Sequence, residues 1–167
     1  AKIEKIFYKN EPKVLPEVVE AVNQADLIIF SMGSLYTSIL PNIICKDVKK
    51  ALDKSTAPIM YLCNIVTQPG ETDDFTVGDH VKLLNRYLGK KKVNVVIANN
   101  EKIEEEMAKR YESEEQKDPV LIDYEELEKI GVELIEEDLI DIDNNTLKHD
   151  SLILSSLIFS YLMRKNK

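Results

Sequence analysis

Apolar residues along this chain fall into short continuous runs separated by stretches of helical period. A-D-L-I-I-F-S (25–31), P-I-M-Y-L-C (58–63) and V-N-V-V-I-A (93–98) read as strands buried on both faces of a sheet. Between them, P-E-V-V-E-A-V-N-Q opens on Pro16, suited to a first helical turn, and V-G-D-H-V-K-L-L-N-R-Y-L closes at Gly89 before three lysines. S-L-Y-T-S-I-L-P-N-I-I-C and D-V-K-K-A-L-D-K predict two short helices, the first bent or restarted by Pro41. I-E-K-I-F-Y (3–8) alternates like a strand. Further on, E-K-I-E-E-E-M-A-K-R-Y predicts a helix, E-S-E-E-Q-K (112–117) a mobile loop and P-V-L-I-D a strand. Y-E-E-L-E-K-I-G then predicts a short helix, V-E-L-I-E-E-D-L an extended segment, and S-L-I-L-S-S-L-I-F-S-Y-L-M (151–163) a buried helix starting near His149 or Asp150.

Strands alternating with helices predict an α/β fold, with a mostly parallel sheet covered by helices on both faces. With 167 residues, 44% of them hydrophobic, one domain over 1–167 is expected. The longest apolar tract is shorter than the ~18 residues of a membrane span and carries serines. The first residues show no secretory signal, and the chain does not open on methionine, which fits a processed start or a piece of a longer chain.

Charge and cysteine use narrow the function. Segment 101–143 carries 18 acids against 5 bases, so the net charge of -8 leaves only a modest basic excess elsewhere. Non-specific nucleic-acid binding is therefore not expected, because it needs a sustained basic surface. Cys45 and Cys63 stand outside any C-x-x-C spacing, which fits a reducing, cytoplasmic setting. His80 and His149 belong to no zinc motif, and His80 reads as surface or helix packing.

Candidate chemistry lies in the segments after the first three buried strands, since open α/β sheets bind ligands outside the carboxyl ends of their strands. The first is S-M-G-S-L-Y-T-S. Gly33 permits close backbone approach, the amides of Ser34, Leu35 and Tyr36 would be free helix-start donors, and Ser34, Thr37 and Ser38 add hydroxyls. Taken alone, Ser34 as a simple helix cap is the plainer reading. No G-x-S-x-G elbow is present.

The second segment, N-I-V-T-Q-P-G-E-T-D-D, is about twice the usual length of a strand-to-helix connection. Pro69-Gly70 specifies a tight turn, and Thr76 with Asp79 forms a capping box. Asn64, Thr67, Gln68, Glu71 and Thr72 have no folding role and suit a base, ribose or sugar edge. Glu71, Asp73 and Asp74 make an exposed acidic turn, with Mg²⁺ bridged by ligand phosphates left open. The third segment is N-N-E. Tyr111 reads as a cover residue, Asp150 or Ser151 as a cap, and Lys148 as a point charge within reach of a phosphate.

M-G-S-L-Y-T-S-I-L-P-N, Y-L-C-N-I-V-T-Q-P-G-E-T-D and L-K-H-D together resemble the CofD-like family, in its bacterial gluconeogenesis-factor branch. The resemblance implies a Rossmann-like three-layer fold. It also implies binding of UDP-sugars such as UDP-N-acetylglucosamine, and a link to carbon-source-dependent growth, cell shape and wall synthesis. The related CofD enzymes transfer a 2-phospholactate group, which gives the alternative, a Mg²⁺-dependent transferase. By the same resemblance Gly33, Ser34, Leu35, Tyr36 and Thr37, then Asn64, Thr67, Gln68, Gly70, Glu71 and Thr72, and finally Tyr111 and Lys148 become candidate ligand contacts, with no catalytic residue assigned. A homodimer and cell-wall synthesis proteins are the partners left open. Ser31-Met32 departs from the usual Gly-Pro, Asp74 from a common Gly and Lys148 from the usual Arg. The family's G-G-G-T-G loop has no counterpart among the five glycines, so the chain resembles the C-terminal half of such a protein.

Overall fold

The computed structural model describes residues 3–165. Four parallel strands form one sheet in chain order: β1 (Ile28–Phe30), β2 (Ile59–Leu62), β3 (Val95–Asn99) and β4 (Glu133–Glu137). Helix α1 (Pro16–Gln24) precedes them, and α2 (Leu40–Ile44), α3 (Lys46–Lys54), α4 (Val77–Leu88), α5 (Glu105–Glu115), α6 (Tyr124–Ile130) and α7 (Ser151–Lys165) connect and follow them. An antiparallel hairpin, β5 (Ile140–Asp143) and β6 (Thr146–His149), precedes α7.

The pleat sends successive side chains of the buried strands to opposite faces. Tyr61, Val96 and Ala98 enter one core with Leu40, Ile43, Val81, Leu84 and Leu127, under α2, α4 and α6. Met60, Leu62, Val95 and Ile97 enter a second core with Leu154 and Tyr161 of α7. This is the expected three-layer arrangement. Among the described residues no helix is long and apolar enough to cross a membrane.

Several local expectations are corrected. Residues 3–8 are not a strand: the Ile6 N–H donates to the Tyr87 hydroxyl, and the Ile6 side chain lies on the core without a paired neighbour. Residues 119–123 make one bridge, Val66 with Pro119, flanked by hydrogen bonds from the Val120 N–H to Ile65 and from the Thr67 N–H to Asp118; beyond it the Leu121 carbonyl accepts from Val77 at the start of α4, and the pairing ends. Glu112 to Glu115, expected as loop, continue α5, whose glutamates favour helix and whose Tyr111 anchors it in the core; Gln116 ends it at φ +54°. Buried strand 25–31 shortens to β1, an edge on which Ile29 is 40% exposed. Helix α7 is not fully buried either, since Leu152, Phe159 and Met163 are open to solvent. His80 is buried, its Nδ1 2.8 Å from the Thr76 carbonyl and its ring stacked on Tyr61, so packing is its role.

Candidate functional site

Two loops at the carboxyl ends of β1 and β2 are joined by side chains. The Ser34 hydroxyl donates to the Glu71 carboxylate, and the Asn64 amide donates to the Met32 carbonyl at 3.2 Å while its oxygen accepts from the Tyr61 hydroxyl. Ser34 also accepts from the Thr37 N–H and, at 2.7 Å, from the Thr37 hydroxyl. It is therefore a cap and a cross-link at once.

A π-helical turn, Leu35–Ile39, follows Ser34 and runs into α2. Both Ser38 and Ile39 donate to the Ser34 carbonyl, and Leu40 donates to that of Leu35. The widened turn falls just before Pro41, which can donate nothing to the ladder. The N–H groups of Ser34, Leu35 and Tyr36 have no hydrogen-bond partner among the described residues. Gly33 serves close packing as well: a Cβ there would stand 3.0 Å from that of Ser38.

The second loop is held as a compact turn. Gly70 has φ +76°, and its N–H donates to both Asp73 oxygens at 3.1 and 3.0 Å. Gln68 accepts at its carbonyl from Glu71 and Thr72 and donates its N–H to the buried Thr72 hydroxyl at 2.9 Å, leaving its own amide side chain uncommitted. Thr67 is buried, its hydroxyl accepting from the Asp118 N–H at 2.9 Å. The Thr76–Asp79 capping box is formed, and Lys82 and Thr76 together hold the Asp79 carboxyl below its usual range against the opposing effect of burial. Beside this turn a cleft of about 410 Å³ is lined by Tyr36, Glu71, Asp73, Lys82 and Arg86. Burial raises the Tyr36 hydroxyl, aided by Tyr87 and Glu71 and opposed by Arg86.

Tyr111 and Lys148 do not join this cluster through their side chains. The buried Tyr111 hydroxyl accepts from the Leu147 N–H at 2.9 Å, and Lys148 pairs at 2.5 Å with Asp143 across the hairpin, which raises its pKa. Sequence reasoning gave no role to the next residue, His149. Its Nε2 lies 3.0 Å from the Cys63 carbonyl at the end of β2, so the hairpin closes over the rim there. The only signal for it was its place in L-K-H-D. Asp123 was also missed; it accepts from the Thr76 hydroxyl and the Gly78 N–H, both at 2.7 Å. Glu71 and Asp73 are engaged as described, and among the described residues no three His, Cys, Asp or Glu side chains converge as a metal site.

The family model described as 2-phospho-L-lactate transferase CofD matches residues 1–140. The "Gluconeogenesis factor" of Bacillus subtilis is 38% identical over 162 residues, 96% of this chain and 51% of that one. A Clostridium acetobutylicum protein bearing the same name provisionally is 41% identical over 164 residues, 98% of this chain and 36% of that one. A crystal structure of a protein member of the UPF0052 family from Bacillus halodurans superposes with a TM-score of 0.89 at 34% identity, covering 94% of this chain and 51% of that one. The chain thus spans between about a third and a half of these relatives' length.

Proposed function

Since the chain belongs to the CofD family, with relatives named gluconeogenesis factor, we propose that it contributes a UDP-sugar site to a cytoplasmic regulatory protein linked to carbon-source-dependent growth, cell shape and wall synthesis. The observation that carries this reading is the Ser34–Glu71 link. It brings the two polar loops to one rim and leaves the Ser34, Leu35 and Tyr36 amides open to an anion. Amides and hydroxyls that need no charge of their own can receive phosphates there, while Asn64 and Gln68 suit sugar or ribose hydroxyls. UDP-N-acetylglucosamine titrated into a family-length protein tests it: saturable binding weakened by Ser34→Ala is the expected result.

The rest of a family-length chain is proposed to seat on two open surfaces of this domain. β1 is paired on one side only among the described residues, and a groove of about 340 Å³ runs along it past Ile29, Phe30 and Ile43. Leu152, Phe159 and Met163 leave a second apolar strip on α7.

The transferase description of the family model supports a second reading, transfer of a phospholactyl-type group with Mg²⁺. Incubating the family-length protein with UDP-sugars and Mg²⁺ separates the two. Sustained product release would replace the binding role by the transferase role.

A further inference from the structure

A cleft of about 450 Å³ opens at the carboxyl end of β3, between the turn after Asn99 and residues 119–124, which lead into the first turn of α6. Ile103, Leu121, Ile122 and Tyr124 make its lining mostly apolar, and Leu121 and Tyr124 remain 68% and 57% exposed. Scattered exposed apolar residues are ordinary; two of them in one concavity at the ligand-binding end of a parallel sheet are not. The Tyr124 ring is also fixed, its hydroxyl donating to Glu136 at 2.7 Å. The cleft's polar lining residues are Asn99, Asn100, Glu101 and Lys102. The Asn99 amide is committed to Leu139 and Glu101, whereas the Asn100 side chain has no partner among the described residues.

This cleft is physically continuous with the loop that carries Asn64 and Glu71. Val66 bridges Pro119, Thr67 exchanges two hydrogen bonds with Asp118, and the Val120 N–H donates to the Ile65 carbonyl. Adjacent strands lie about 4.8 Å apart, so the β3 rim is about 10 Å from the β1 rim, within reach of an extended nucleoside diphosphate. The surroundings also select what can sit here. Glu101 lines the cleft and Lys102 only offsets it, in a segment rich in acids, so a phosphate is disfavoured. A hexose would leave most of its hydroxyls facing apolar walls.

We propose that the cleft takes the base of the nucleotide: a flat, uncharged heterocycle laid against Tyr124 and Leu121, with its hydrogen-bonding edge read by Asn100. This rests on the nucleotide-sugar reading above and assigns one part of the ligand to a place that reading leaves open. Asn100 and Tyr124 are exposed, so Asn100→Ala and Tyr124→Ala leave the core intact, which an unchanged thermal melt verifies.

The test is calorimetry on a family-length protein with three probes: UDP-N-acetylglucosamine, uridine monophosphate and N-acetylglucosamine 1-phosphate. Tyr124→Ala is expected to weaken the two uridine ligands by a similar factor, about tenfold, as for loss of one base–aromatic stack, and to leave the sugar phosphate unchanged. Asn100→Ala is expected to narrow the preference for uridine over cytidine monophosphate. Wild-type affinity of both variants for the uridine ligands would overturn the base site while the nucleotide-sugar reading stood. A loss confined to the sugar phosphate would overturn it too. No binding of any probe by the unmodified protein would remove the reading and the base site together.

Discussion

The imidazole of His149 meets the carbonyl of Cys63 at 3.0 Å, so that a hairpin arriving 86 residues later is fastened to the end of β2. Burial lowers the His149 pKa, and the Cys63 contact opposes this only in part. His80 is shifted in the same direction by the same cause.

A histidine held neutral by burial stabilises the fold above its unfolded pKa, about 6.5. As pH falls below that value the unfolded chain takes up the proton first, and stability declines until the folded pKa is passed. Stability is therefore expected to drop between neutral pH and the folded pKa, with the hairpin 140–149 losing hydrogen-exchange protection. His149→Asn should remove its share of the slope, leaving that of His80. An unchanged slope would show that His149 does not titrate in this way.

Gly70→Val should harm the loop more than the fold. Nothing lies within 4 Å of a Cβ placed there, so the cost is the backbone's, at φ +76°. About 1–3 kcal/mol of local strain is expected, read as weaker ligand binding with near-native chemical shifts in β2 and β3. Wild-type affinity for UDP-N-acetylglucosamine in the family-length protein would take this turn out of the site.

Asp74→Gly should be stabilising. Asp74 holds φ +61°, where an L side chain is disfavoured and glycine is not. A gain of about 0.5–1 kcal/mol is expected, partly offset by glycine's unfolded-state entropy. A thermal melt that moves downward would mean that the Asp74 side chain makes a contact worth more than the strain.

Asp123→Ala should cost about 2–3 kcal/mol, because one carboxylate satisfies both the Thr76 hydroxyl and the Gly78 N–H at the start of α4. Gly78 is part of the same fit: a Cβ there would fall 2.5 Å from an Asp123 oxygen. Denaturant unfolding gives the value, and a loss no larger than for an ordinary surface aspartate would contradict it.

What the sequence disclosed was what depends on neighbours in the chain. The apolar runs of β2 and β3, the Pro16 start, the Thr76–Asp79 box and the Gly70 turn are all local patterns, and each appears in the fold. The apolar residues at 3–8 misled because only Ile6 among them packs on the core, while Ile3, Phe7 and Tyr8 stay exposed. The hairpin could have been found: I-D-I-D and T-L-K-H flank Asn144 and Asn145, both at positive φ as a two-residue turn requires. The Ser34–Glu71 link spans 37 residues, and the roles of Thr67, Asp123 and His149 depend on similarly distant partners. No local pattern encodes such pairings. Composition alone also overstated the burial of α7, whose apolar content exceeds what one sheet face can cover.

The nucleotide-sugar reading stands on the rim joined by Ser34 and Glu71. Its most direct test is the affinity of UDP-N-acetylglucosamine, by calorimetry, for a family-length protein with and without Ser34→Ala. Saturable binding to the unmodified protein is expected, with a loss of at least about tenfold, equal to about 1.4 kcal/mol, on removing the hydroxyl. Unchanged affinity in the Ser34→Ala protein, or no binding to the unmodified one, would contradict it.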